Sequence, residues 1–252
     1  MRTTARELLE AAPQLSVGIL TADLLRLGEE LTALADADVG VVHVDVMDGV
    51  FCPQLTVGAP VVAALPDRFV KDVHLMVDEP VEKAATYVEA GADVLTFHVE
   101  ATRHPHRVLQ SLAGTGVVRG VALNPGTPVW ALEPLVDDLE LVLLLAVDPG
   151  WPGQRFIPST ARKVAEARAL LGERDVVVAV DGGITKDNVG RVASLGVDLI
   201  VTGSAVFDGG AAADNARSLL EAARSARAGD GGPPAQSSGT PVAAGVDHRK
   251  EE

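Results

Sequence analysis

Cysteine, lysine and aromatic side chains are what this sequence of 252 residues is short of: one cysteine, five lysines, and 3% Phe, Trp and Tyr together. A lone cysteine, Cys52, excludes an internal disulfide and makes a reducing compartment the simpler setting. With few aromatics but 47% hydrophobic residues, the core must be built from Val, Leu and Ala, which suits parallel strands buried on both faces. The scarcity of lysine and a formal net charge of −14 exclude a basic surface that would neutralise nucleic-acid phosphates. They do not exclude a small anion held by backbone N–H groups at helix starts. No apolar run approaches the roughly 18 residues of a membrane span. The opening MRTTARELLEAAP lacks the apolar stretch of a signal peptide and reads as a short amphipathic helix ending before Pro13. The expectation is a soluble, cytoplasmic protein without nucleic-acid or membrane partners.

What the chain does have is rhythm. Eight short β-type runs recur: LSVGIL (15–20), VGVVHVDV (39–46), VKDVHLMV (70–77), DVLTFHV (93–99), RGVALN (119–124), LVLLLAV (141–147), VVVAVD (176–181) and DLIVTG (198–203). Helical segments lie between them, such as 23–37 and 159–173, each opening on an Asp or Ser N-cap candidate. Strand–helix alternation repeated eight times is the pattern of an α/β (β/α)8 barrel. A doubly wound sheet would want a glycine-rich turn after the first strand, and here that strand runs into ILTAD. Residues 1–14 read as an N-terminal helical extension, 15–227 as one barrel domain closed by a helix over 211–227, and 228–252, rich in Gly, Pro and Ser, as a disordered tail.

Barrel active sites lie at the C-terminal strand ends. Those ends here carry Thr21, His43 with Asp45, His74, His98 with Glu100, Asn124, Asp148, Asp181 and Gly203–Ser204. In HVDVMDG (43–49), strand alternation puts His43, Asp45 and Met47 on one face. Asp48 points the other way, to anchor the turn at Gly49. Two imidazoles and two carboxylates, His43, Asp45, His74 and Asp181, could share Zn²⁺, Fe²⁺ or Mn²⁺. Each has a plainer reading: a strand histidine as a hydrogen-bonded core residue, and Asp181 before Gly182 and Gly183 as turn chemistry. The four favour a site only together. His98 and Glu100 repeat the i, i+2 form and read as support or structure.

Glycines make a second constellation. DPGWPGQ (148–154), DGGI (181–184) and TGSA (202–205) follow the last three strands, where such barrels bind phosphate through backbone N–H groups. Any one of these loops is explained by a tight turn; three together suggest a phosphate cradle.

The segments HVDVMDGVFCPQLTVGAP, DVHLMVDEP, EAGADVLTFHVEA, GVALNPGTP, VDPGWPGQRFIPST, VDGGITKDN and GSAVF, in this order from Leu15 to Phe207, resemble the ribulose-phosphate 3-epimerase family. The resemblance implies a (β/α)8 barrel that inverts C3 of a ketopentose 5-phosphate, D-ribulose 5-phosphate to D-xylulose 5-phosphate, with one divalent metal: Zn²⁺ or Fe²⁺ first, Mn²⁺ or Co²⁺ as alternatives. It makes His43, Asp45, His74 and Asp181 the metal ligands, and Asp45 and Asp181 the acid/base pair, Asp45 acting as base toward ribulose 5-phosphate. It makes Met47 a wall of the site. His74 and the loops carrying Gly150, Trp151, Pro152, Gly153, Gly182, Gly183, Gly203 and Ser204 become substrate or phosphate contacts. It also implies a homo-oligomer, dimeric or hexameric. Three departures stand out: Gly18 in VGILTAD replaces the family's serine, GWPGQ replaces GFGGQ, and VFCPQ replaces HFVPN. They leave room for another ketose phosphate, such as D-allulose 6-phosphate. A lysine-dependent barrel lyase and a non-catalytic sugar-phosphate binder are the remaining alternatives.

Overall fold

The eight apolar runs form eight parallel strands: β1 (Gln14–Gly18), β2 (Val41–Met47), β3 (Val70–Met76), β4 (Val94–His98), β5 (Val118–Leu123), β6 (Leu141–Leu145), β7 (Val177–Asp181) and β8 (Leu199–Thr202). They pair in chain order and close β8 onto β1. The computed structural model describes residues 3–151 and 153–229. Pro152 and residues 230–252, which include most of the proposed tail, lie outside the described residues. The helices are α1 (Ala5–Glu10), α2 (Leu27–Asp36), α3 (Ala59–Ala64), α4 (Ala84–Glu89), α5 (Pro105–Leu112), α6 (Thr160–Leu171), α7 (Val189–Ser194) and α8 (Ala212–Gly229). No helix among the described residues is long and apolar enough to cross a membrane.

Local chemistry adjusts the expected outline in four places. The segment expected as one helix over 23–37 begins with a 3-10 turn, Leu24–Arg26, where Asp23 accepts from the Leu25 N–H at 3.0 Å. Ser159 sits at the start of α6 without a side-chain cap, because its own backbone is already helical. Between β5 and β6 a 3-10 helix, Val129–Leu135, replaces an α-helix; Pro134 inside it removes a backbone donor. Thr21, expected at a strand end, belongs instead to the 3-10 turn Ile19–Thr21, since β1 stops at Gly18.

Outward strand residues such as Val44, Val46, Val73 and Leu75 join the helices in one apolar layer around the barrel. The inside is divided. Its lower end holds Val41, Val94, Val118, Leu141, Val177 and Leu199, the first residues of six strands, and α1 inserts Ala5 and Leu8 beneath them. A reciprocal cap fixes the start of that helix: Thr4 Oγ1 accepts from the Glu7 N–H at 3.2 Å and Glu7 Oε2 accepts from the Thr4 N–H at 2.8 Å. Higher up, the wall from β1 to β4 is polar, with Ser16, His43, Asp72, His74, Thr96 and His98 all buried. The facing wall is apolar, with Ala122, Leu143, Leu145, Ala179 and Val201.

Leu8, 3% exposed, closes the bottom of the lumen. Truncation of a buried leucine costs about 2–5 kcal/mol. A short terminal helix can settle, so Leu8→Ala should fall near the low end, at about 2 kcal/mol in urea unfolding, with activity retained in the folded fraction. An unchanged unfolding midpoint would show that α1 is not part of the cooperative core.

Candidate active site

Register brings the polar residues together. On the parallel pair β2–β3, His43 lies beside Asp72 and Asp45 beside His74; on β6–β7, Leu145 lies beside Asp181. Period-2 alternation turns His43, Asp45, Asp72, His74 and Asp181 inward. One donor atom from each of His43, Asp45, His74 and Asp181 falls within 4.8 Å of all the others. The sequence expectation of these four as one cluster matches that geometry.

Asp45 is the hub. Its Oδ1 lies 3.2 Å from His43 Nε2 and 2.9 Å from His74 Nδ1. Asp181 Oδ2 stands 4.0 Å from the same His74 nitrogen. The far nitrogen of each imidazole is also engaged: His43 Nδ1 by Asp72 Oδ2 at 2.7 Å, and His74 Nε2 by His98 Nε2 at 2.9 Å. Ser16 Oγ donates to the same Asp72 oxygen at 2.8 Å, and Glu100 Oε2 lies 3.1 Å from His98 Nδ1. A ligating imidazole needs this arrangement, because the outer partner decides which nitrogen keeps its lone pair.

Burial separates two roles. The His43 and His74 side chains are fully buried, whereas Asp45 and Asp181 keep 20% and 17% of theirs exposed, toward a cavity of about 450 Å³. Both carboxylates line that cavity; neither histidine does. His74 thus stands behind Asp45, away from the cavity surface.

The same surroundings push the two carboxyls apart. Burial would raise Asp45, but the charge and hydrogen bonds of His43 and His74 hold it far below the usual carboxylate range. Asp181 is driven up to about 7, first by burial and then by the neighbouring Asp45 charge. Burial takes His74 down to about 4. His43 stands well above its ordinary value, because Asp72 and Asp45 outweigh its burial. The pocket holds one ionised carboxylate beside one that keeps its proton to near neutrality.

Loops from several strands complete the cavity. Met47, Gly150, Trp151, Gly153, Gly182, Gly183, Gly203, Ser204 and Gly18 all line it, so the expected contact residues other than His74 and the undescribed Pro152 come together. Asp48 anchors its turn as expected: Oδ1 accepts from the Val50 and Phe51 N–H groups at 2.9 and 3.0 Å, and Oδ2 from the Asp78 N–H and Lys83 Nζ. Thr56 Oγ1 ties the same loop back, donating to Asp45 O at 2.7 Å and accepting from the Met47 N–H at 2.9 Å. Gln154 Nε2 donates to the Trp151 and Asp148 carbonyls and braces the loop after β6. Asp72, Thr56 and Gln154 escaped the sequence reading. Of these only Asp72 carried a signal, its i, i−2 spacing from His74 on one strand face.

A family model described as "Ribulose-phosphate 3 epimerase family" matches residues 14–207. The chain belongs to the ribulose-phosphate 3-epimerase family. As a member it is an isomerase of the epimerase class. The ribulose-phosphate 3-epimerase of Rhodobacter capsulatus is 44% identical over 199 residues, 78% of this chain and 87% of that one. That of Bacillus subtilis is 42% identical over 194 residues, 75% of this chain and 89% of that one. Among solved structures, 3-hexulose-6-phosphate synthase from Salmonella typhimurium superposes with a TM-score of 0.66 over 84% of this chain and 99% of its own, at 17% identity, a likeness of fold alone.

Two glycines of the cavity wall differ in what they tolerate. A Cβ on Gly203 would sit 2.5 Å from the Gly18 carbonyl oxygen and 2.6 Å from Thr21 Oγ1, whereas one on Gly18 meets nothing nearer than Gly203 Cα at 3.7 Å. Gly203→Ala should therefore lose about 1–3 kcal/mol to overpacking, and Gly18→Ala should stay within about 0.5 kcal/mol of the parent in the same denaturant titration. Equal losses would contradict this account of the β1–β8 mouth.

Proposed function

We propose that this chain interconverts D-ribulose 5-phosphate and D-xylulose 5-phosphate, with Asp45 and Asp181 passing protons at opposite faces of C3 and a divalent cation held by His43, Asp45, His74 and Asp181. The observation that carries it is the pair of carboxylates: both look into one cavity, and both belong to the four-residue donor cluster that falls within 4.8 Å. The names of the relatives support the choice of sugar.

The donor set suits such a cation. Four donor atoms converge within 4.8 Å, and the two imidazoles are backed at their outer nitrogens by Asp72 and His98. Two carboxylates add the negative charge that a divalent ion of the Zn²⁺, Fe²⁺, Mn²⁺ or Co²⁺ group balances. When bound, the ion supplies Lewis-acid stabilisation of the negative charge that develops as C3 loses its proton.

Inversion next to a ketone needs one group to take the proton and another to return one from the opposite side. Asp45 meets both imidazoles through a single oxygen, Oδ1, which leaves Oδ2 to act as base. Asp181 reaches the same cavity from the end of β7 and is the donor for the other face. The roles exchange in the reverse reaction. Met47, Met76, Leu145 and Val201 give the cavity apolar walls that keep water from competing for the proton. The loops around Gly182–Gly183 and Gly203–Ser204 offer backbone toward the phosphate.

Incubated with D-ribulose 5-phosphate in D₂O and a divalent metal, the protein should place deuterium at C3 while xylulose 5-phosphate appears by NMR. Absence of both with every metal of the group would overturn the proposal. Asp45→Asn and Asp181→Asn should each lower kcat by at least about 10²-fold and still fold. Chelation should abolish turnover and added metal restore it; full activity after exhaustive chelation would refute the metal part alone. Turnover strongly favouring D-allulose 6-phosphate would keep the chemistry and replace the sugar.

A further inference from the structure

Resting on the reading that His74 is a metal ligand, we propose that Glu100 is a positioning residue that fixes, through His98, the tautomer in which His74 turns a bare Nδ1 toward the ion. Glu100, His98 and His74 form an unbroken line. Glu100 Oε2 lies 3.1 Å from His98 Nδ1, His98 Nε2 lies 2.9 Å from His74 Nε2, and His74 Nδ1 faces Asp45 Oδ1 at 2.9 Å. Both imidazoles are fully buried, so no solvent supplies a substitute donor or acceptor.

Two imidazole nitrogens 2.9 Å apart share one proton, and which ring owns it decides what the far nitrogen does. If His98 carried the proton on Nε2, its bare Nδ1 would face the Glu100 carboxylate, lone pair against anion. His74 would then be the acceptor at Nε2 and would carry its own proton on Nδ1, aimed into the ligand cluster and blocking coordination. With an anionic Glu100 the order reverses. His98 Nδ1–H donates to Glu100, His98 Nε2 accepts from His74 Nε2–H, and His74 Nδ1 is left with a free lone pair. The carboxylate two rings away sets the ligand.

Glu100 is held for this task. Its other oxygen, Oε1, accepts from the Asn124 N–H at 2.8 Å, and Lys163 Nζ fixes that loop by donating to the Asn124 carbonyl at 2.7 Å. Burial would raise its pKa, but hydrogen bonds from His98, Thr127 and Asn124 hold it at about 2, so it is an acceptor at both oxygens. Phe51 packs against the His98 ring at 4.7 Å between centroids and closes it from the loop side. His43 reaches the same end in one step, with Asp72 directly on Nδ1. His74 has His98 rather than a carboxylate at its outer nitrogen, and the His98 ring carries the preference from Glu100 instead.

The test uses the full-length protein, with Zn²⁺ as the probe. Long-range ¹H–¹⁵N spectra of the Zn²⁺-loaded wild type should show His98 protonated at Nδ1 and His74 protonated at Nε2. The opposite pair of tautomers would overturn the proposal without any variant. Glu100→Gln keeps the shape but replaces one of two acceptor oxygens with a donor. It and Glu100→Ala should each weaken Zn²⁺ binding about 10–100-fold in competition with a chromophoric chelator. Glu100→Ala should also populate the Nε2–H form of His98, a change that mere loss of packing would not cause. Stoichiometric Zn²⁺ binding by the wild type with affinity within twofold in both variants would sink this inference and leave the metal reading standing. A wild type that binds no divalent ion would overturn both.

Discussion

One carboxylate oxygen, Asp45 Oδ1, faces two buried imidazoles, and the polar half of the barrel follows from what those imidazoles then require. An imidazole removed from water needs a partner at each nitrogen, or it costs about 1–3 kcal/mol per unmet group. His43 finds Asp72, which in turn accepts from Ser16; His74 finds His98, which finds Glu100. Asp72, Ser16 and His98 face inward because each lies an even number of residues along a strand from an inward residue, or level with one on the next strand, while Glu100 follows β4 in the 3-10 turn Val99–Ala101. A one-residue slip between β2 and β3 would send His74 to the outer apolar layer and leave Asp45 with His43 alone. The network therefore helps to specify the register that creates it.

Such a network is tolerated because the opposite wall, Asp181 at the end of β7 apart, asks for nothing. Ala122, Leu143, Leu145, Ala179 and Val201 carry no polar side-chain atoms, so the lumen has one set of hydrogen-bonding demands. Above this level the division changes from left and right to inside and outside. The imidazoles stay buried while the two carboxylates reach the cavity. Side chains at the strand ends, Asp48 and Thr56 after β2 and Gln154 after β6, pull the loops into a fixed rim, so the mobility usual in loops is restrained where the substrate would sit.

Much of this was legible in the sequence because periodicity and position carry it. The eight strands appear as apolar runs, and His43, Asp45, His74 and Asp181 stand where those runs end. Asp72 was not legible in the same way. It lies deep in β3, below the level where barrel chemistry is sought, and its value depends on a neighbour from another strand. Thr56 and Gln154 are loop residues whose partners are set by backbone positions that no pattern encodes. The glycines were read for phosphate, but several have a second reason. A Cβ on Gly182 would meet Val147 Cγ2 at 2.3 Å, and one on Gly183 would meet the Phe156 backbone nitrogen at 2.4 Å, so loop-to-loop packing alone demands glycine there.

That overlap bears on how function should be read from this fold. At 17% identity and a TM-score of 0.66, the barrel of a protein with a different name is superposable on this one, so strands, helices and even glycine-bearing turns do not separate the two. What separates activities on one scaffold is the side-chain set at the strand ends. A lyase working through a lysine would need an amine facing the cavity, yet no Lys or Arg stands among the described residues that line it. A passive sugar-phosphate binder would have no need of two carboxylates with opposed proton affinities, nor of buried partners behind each imidazole. Burying Asp72 and His98 to orient two other rings costs desolvation energy that packing alone would have avoided. Their presence fits the proposal that the rings they orient hold a metal ion.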